Sequence, residues 1–262
     1  MDELLVALFD SDARAREAAR LLHERHAEGS LSVYALAIVV RAPNGAGLAP
    51  SEPVSAGKGA AATAGAAAVG ALVSLLGGAI SAVLRTVRSG LVGAVSELSR
   101  AGLDSRFLER ISRELRPGGA AVVAEVEEDD QPPLDARIAA LDGRAFRHRL
   151  EGPLAEARIE REVAALRDDL AKLRAGARGG PDAATLRDLA RKRAAELRQA
   201  RRRAAAFADA LRREGVAKIV VLRTQAEALD GHARAAVESR AARVRASFEA
   251  RASRLDQLAE QG

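Results

Sequence analysis

Apolar residues follow three rhythms along this chain, and each predicts a different kind of structure. In the first rhythm, short apolar runs alternate with amphipathic stretches. Leu4 to Phe9 is an unbroken run of strand length, followed by Asp10-Ser11-Asp12 as a turn and helix cap. An Asp or Ser oxygen there accepts from the first free helix amides. Ala15, Ala18, Ala19, Leu22 and His26 fall on one face of a helix from Ala13 to His26, and Gly29 ends it. Val33 to Val40 predicts a second strand, stopped at Pro43-Asn44-Gly45. The same grammar resumes past Gly102. Phe107, Leu108, Ile111 and Leu115 mark the core face of a helix capped at Asp104 or Ser105, which Pro117-Gly118-Gly119 stops. Ala120 to Val126 is a strand, Pro132-Pro133 opens a helix through Leu141, and Arg144 to Leu150 alternates as an edge strand after Gly143. Four strands and three helices give an α+β fold class, a small sandwich resembling the ferredoxin-like arrangement, built from residues 1–45 and 102–150.

The second rhythm interrupts the first at 46–101. Ala46 to Gly59 is small and proline-bearing and leads the chain out of the globule; no charge then occurs from Gly59 to Leu84. Every fourth residue is small: Ala62, Ala66, Gly70, Ser74, Gly78, Ala82, Thr86, Gly90 and Ala94. On one helix face such a stripe admits another backbone, the device by which helices associate in lipid. Alanine is common enough here to fall at any spacing. Gly70, Gly78 and Gly90 therefore carry the reading, because glycine costs a helix roughly 1 kcal/mol against alanine. The candidate oligomer or membrane packing residues are Ala66, Gly70, Ser74, Gly78, Ala82 and Gly90, in a hairpin turning at Gly77-Gly78. The run exceeds the roughly 20 residues a span needs. Against insertion, Arg85 and Arg88 stand in the second arm, each costing about 2.5–3.5 kcal/mol at a bilayer centre. A membrane anchor, a soluble oligomer burying the hairpin, and an ordinary buried core all stay open.

The third rhythm is a heptad. Ile159, Val163, Leu166, Leu170 and Leu173 form a seam, broken by Gly176 to Pro181. Leu186, Ala190, Arg193, Leu197, Ala200, Ala204, Phe207 and Leu211 continue it with alanine filling, and Gly215 interrupts. Val216 to Leu222 is read as helix despite its strand-like composition. Val237, Ala241, Val244, Phe248, Ala252 and Leu255 resume the seam, so 151–262 is expected to be an all-α coiled-coil region with a boundary near Gly152-Pro153.

The stretches LLVALFDSDARAREAARLL, VYALAIVVRAPNG, GAAAVGALVSLLGGA and AGLDSRFLERISRELRPGGAAVVAEV occur in that order. Together they resemble the bacterial membrane-protein family called domain of unknown function 1269 over about residues 3–150. More distantly they resemble general-stress-protein domains with a glycine-zipper insert. The resemblance implies an α+β globule carrying a Gly-rich hairpin, membrane association and a stress-related task; it brings no catalytic residues.

Charge separates the halves. Residues 1–150 hold 17 Lys and Arg against 19 Asp and Glu, whereas 151–262 hold 24 against 17. Arg187, Arg191, Lys192, Arg193, Arg198, Arg201, Arg202 and Arg203 are the densest basic patch. It is read first as a solvated helix face, then as a binder of anionic lipid through Arg198, Arg201, Arg202 and Arg203, and last as a nucleic-acid surface, which lacks stacking aromatics. There is no cysteine, which excludes disulfides and thiolate metal sites. The opening MDELLVALFD lacks the basic region of a secretory signal, so a cytoplasmic or cytoplasmic membrane-associated location is expected. His23 and His26 stand one turn apart, with His148 and His232 the remaining histidines, too few neighbours for a metal site. Glu125, Glu127, Glu128, Asp129 and Asp130 read as a solvated strand end without calcium-loop spacing, and Gly57-Lys58-Gly59 lacks a phosphate-loop pattern. The expectation is a non-enzymatic, self-assembling protein with no cofactor and no metal. Its partners would be itself, membrane lipid, or a protein held by the coiled coil; nucleic acid is disfavoured. A soluble scaffold or adaptor is the alternative.

Overall fold

A computed structural model describes residues 2–43, 48–56, 69, 105–129, 132–150, 152–177 and 182–260. The chain divides into two compact units, Met1–Glu151 with Glu214–Arg245, and Gly152–Arg213 with Ala246–Gly262. The elements in order are β1 (Asp2–Phe9), α1 (Asp12–Ala27), β2 (Leu31–Arg41), β3 (Leu48–Ala56), α2 (Ser105–Glu114), β4 (Ala120–Glu128), α3 (Pro132–Ala140), β5 (Arg144–Arg149), α4 (Gly152–Gly176), α5 (Ala183–Glu227) and α6 (Gly231–Glu260). The α+β class of the sequence reading is observed.

The first unit is built on an antiparallel sheet in the order β3-β2-β4-β1-β5. Its apolar runs explain why the central strands are buried on both faces. One face packs Leu5, Ala7, Leu36, Ile38, Val122 and Val126 against α1 and α3. The other sets Leu4, Val6, Ala37, Val39 and Val123 against Ile111 of α2 and Leu115 just beyond its end. Local signals operate as expected: Ser11 caps α1 by accepting from the Arg14 amide at 3.4 Å, and Gly29 leaves it at φ 78°.

A bulge decides what β2 presents. Val33 pairs with Val126 and Ala35 with Glu125, so Tyr34 is an extra residue facing one partner. An inserted residue reverses the side-chain alternation beyond it. Hence Leu31 and Val33 share the α1 face with Leu36 and Ile38, although one pair is odd-numbered and the other even.

Three sequence expectations are corrected. Residues 48–56 do not leave the globule but form β3, paired with β2 from Arg41–Leu48 to Ala35–Ala56. The physical reason is the hydrogen-bonding edge of the long strand β2, while prolines are tolerated because β3 is itself an edge. Gly215 does not interrupt the helix; α5 runs through it, with Gly215 at a buried position that needs little volume. The sequence reading also kept all of 151–262 as one region beyond a boundary near Gly152-Pro153, whereas residues 214–245 belong with the sheet rather than with the other helices.

In the second unit, Val163, Leu170, Ala190, Leu197 and Ala200 form a core joined by Ile159, Leu166, Leu173 and Leu258. Ala200, Ala204, Ala208 and Ala252 are fully buried. Of the heptad positions, Val163, Leu170, Ala190, Leu197, Ala200, Ala204, Leu211, Phe248, Ala252 and Leu255 are buried, whereas Ile159, Leu166, Leu173, Leu186, Arg193 and Phe207 are half-buried. Among the described residues no helix is long and apolar enough to cross a membrane. Ala66, Gly70, Ser74, Gly78, Ala82 and Gly90 lie outside the described residues, as do the other members of the small-residue stripe.

Candidate functional site

The main concentration of buried polar chemistry is a joint in the first unit, where the ends of α5 and α6 meet the sheet. Before the bulge, Ser32 and Tyr34 point to the face opposite α1; on β4, Glu125 and Glu127 continue the face of Ala121 and Val123. One half of that face is therefore apolar and the other polar. All four polar residues are buried.

The helices supply the complementary groups. Lys218 Nζ lies 2.8 Å from Glu125 Oε1 and 3.8 Å from Glu214 Oε1, and 4.7 Å from the Tyr34 ring centroid. The Lys218 and Glu125 side chains are 1% and 0% exposed, so the charges exist there only because each compensates the other. The Tyr34 hydroxyl donates to Glu127. Gln225 uses its whole amide: Nε2 donates to the carbonyls of His26 and Leu31, each at 2.7 Å, and Oε1 accepts from Ser32 Oγ at 2.6 Å. Ser32 Oγ in turn accepts from Arg240 Nη1 at 2.8 Å. Arg240 and Arg243 donate to the two oxygens of Asp129 at 2.9 and 2.7 Å. Partial burial would raise the Asp129 carboxyl, but the Arg240 hydrogen bond and the two arginine charges outweigh it and hold it below the usual range. Burial, with His23 and Arg240 nearby, pushes His26 below the ordinary histidine value. Its Nδ1 accepts from the Val33 amide at 3.2 Å, a bond that requires an unprotonated nitrogen.

A second cluster lies at the β1–β5 edge. Arg147 reaches Glu3 at 3.0 Å, Asp135 at 2.8 Å, and Glu128. Burial pushes Glu128 up, despite the Arg147 charge and hydrogen bond, with Asp135 and Glu3 adding to the rise. For Arg147, burial works against the cation, and its carboxylate partners more than offset it.

This corrects the reading of the acidic strand end. Glu125, Glu127 and Glu128 are buried members of β4 rather than a solvated loop, and Asp129 is an arginine partner; Asp130 lies outside the described residues. The reason is tertiary: cations from α5, α6 and β5 meet these carboxylates, and no local pattern encodes that. Lys218 inside VAKIVVL was the one available signal, a charge within an apolar run. The histidines do not converge. His23 and His232 are exposed, and the His148 ring packs against Phe107 at a 49° tilt with centroids 5.0 Å apart. No metal-capable group of three His, Cys, Asp or Glu occurs among the described residues.

The basic patch sits on α5 in the second unit. Arg198 and Arg202 are exposed, Arg201 is half-buried, and Arg203 pairs with Glu162 of α4. Arg193 pairs with Glu196 at 2.6 Å and Asp169 at 3.7 Å. At the end of β1, a cleft lined by Asp10, Arg116, Glu114 and Arg144 is likewise internally paired, Arg116 with Asp10 and Arg144 with Glu114. No family model, curated protein or solved structure matches this chain.

Proposed function

We propose that this chain is a non-enzymatic, membrane-associated protein that assembles with itself. One observation carries the non-enzymatic part: the buried polar groups of the joint face one another across a closed helix–sheet contact. At 1% exposure Lys218 is out of reach of a substrate, and its chemistry is to hold α5 to the sheet. Membrane association rests on the uncharged run Gly59–Leu84, its small-residue stripe, and the resemblance to the domain of unknown function 1269 family. The sheet order supports a ferredoxin-like class for the globule: omitting β3 leaves β2-β4-β1-β5, in which β4 lies antiparallel between β1 and β2, the two strands joined through α1. The buried alanine seam supports a coiled-coil reading of the second unit.

Flotation of the full chain with membranes tests the anchor. Recovery with the lipid fraction, released by detergent and not by salt, is the expected result. Complete recovery in the aqueous fraction without detergent would leave the soluble scaffold, a reading that the alanine-lined helices of the second unit also serve.

A further inference from the structure

Two groups stand out among the arginines of α5. Arg193, Arg203 and Arg212 are tied to carboxylates on α4, α5 or α6. Arg187, Arg198 and Arg202 are exposed and form no ion pair among the described residues. Arg191 is 79% exposed and, among the described residues, pairs only with Asp188 of its own helix. At 100° per residue, positions 187, 191, 198 and 202 fall within an arc of about 60° and span about 22 Å of helix axis. The result is a straight cationic stripe on the flank of the buried seam. It belongs to the unit that carries the surplus charge: Gly152–Arg213 with Ala246–Gly262 hold 18 Lys and Arg against 12 Asp and Glu, whereas the remainder holds 23 against 24.

We infer that this stripe binds the anionic headgroups of a lipid bilayer. Three observations select that occupant. Exposed guanidinium groups in a row complement a plane of negative charge, and each contributes without needing a shaped pocket. The two aromatic residues of the unit, Phe207 and Phe248, are half-buried and buried, so the stripe offers no ring for a nucleic-acid base to stack on. The same chain also carries the uncharged run Gly59–Leu84. The inference rests on the membrane-associated reading but uses different residues, so the two fail separately. It also revises the sequence choice: of Arg198, Arg201, Arg202 and Arg203, only Arg198 and Arg202 belong to the stripe, with Arg187 and Arg191 added.

The test is co-sedimentation of the full-length chain with phosphatidylcholine vesicles, with and without phosphatidylserine. Phosphatidylserine is expected to strengthen binding, and added salt to remove the increment. The variant R187Q/R198Q/R202Q keeps helix-forming residues and is checked by circular dichroism. On serine-lipid vesicles it is expected to bind about a hundredfold more weakly, roughly fivefold per charge, with binding to neutral vesicles unchanged. R106Q/R137Q/R149Q removes the same net charge from exposed positions in the other unit and is expected to match the parent. Equal binding by parent and stripe variant, an equal loss in the control, or no dependence on phosphatidylserine overturns the inference. So does salt-dependent binding to duplex DNA that disappears in the stripe variant, which would make nucleic acid the occupant. Failure to bind neutral vesicles counts against the hairpin anchor alone.

Discussion

Lys218→Met is the most informative single change in the helix–sheet joint. Methionine preserves length and helix propensity, so what is lost is the ammonium group 2.8 Å from Glu125 and 3.8 Å from Glu214. A unit pair at 4 Å is worth about 4 kcal/mol at an effective dielectric of 20. Breaking a buried pair by removing one partner typically costs about 3–5 kcal/mol. The Lys218 and Glu125 side chains are 1% and 0% exposed, which places this pair fully in that regime. Lys218→Met is therefore expected to destabilise the first unit by about 4 kcal/mol, or about 10 °C in Tm for a unit of this size. Glu125→Leu should cost a similar amount by leaving the ammonium buried. The double variant Lys218→Met/Glu125→Leu is expected to recover to near the parent, since an apolar replacement of a buried pair is often neutral or stabilising. The singles together would then exceed the double by more than about 3 kcal/mol. Urea unfolding followed by circular dichroism measures the cycle. Hydrogen exchange of residues 214–245 assigns it to the joint, which matters because two units need not unfold in one step. A cost under about 1 kcal/mol for Lys218→Met, or a double variant as unstable as the sum of the singles, would refute the buried-pair reasoning.

Three further outcomes follow from the same geometry and sequence. Gly29 has φ 78° and an added Cβ would stand 2.8 Å from Leu229 Cδ1, while Gly118 has φ 79° with nothing within 4 Å; in thermal melts Gly29→Ala should cost about 2–4 kcal/mol and Gly118→Ala about 1, and equal costs would mean the turn between α5 and α6 does not press on Gly29. The depressed His26 value makes its contribution complete above the ordinary histidine pKa of 6.5 and lost as pH falls from there through the folded value; the depressed Asp129 adds a second loss below 3.8. Stability measured from pH 7 to pH 3 should fall in both windows, Arg240→Gln should shrink the lower one, and a flat profile would contradict both shifts. Gly70→Leu and Gly78→Leu place bulk where the small-residue stripe would meet another backbone, at a cost of about 1–3 kcal/mol; mass photometry should show smaller oligomers, and an unchanged size would make the stripe an accident of composition.

The sequence by itself determined the elements whose causes are local. Ser11 and Gly29 bound α1, Phe107 to Leu115 set the core face of α2, and Gly143 marks the start of β5, because caps, turns and apolar periods act within a few residues. Among the heptad positions, Val163, Leu170, Leu197, Ala200, Ala204, Val244 and Ala252 are buried, since a helix face is fixed by spacing, but the spacing did not mark the buried Lys218, Gln225 or Arg240. Tertiary structure alone decided β3, the Tyr34 bulge and the polar joint. β3 exists because β2 offers an edge, and the bulge is a matter of register between β2 and β4. The Glu125 to Asp129 segment looks like a solvated acidic tail until Lys218, Arg240, Arg243 and Arg147 arrive from distant parts of the chain. A carboxylate's spacing says nothing of whether a cation will meet it, and burial of charge is settled only by that meeting.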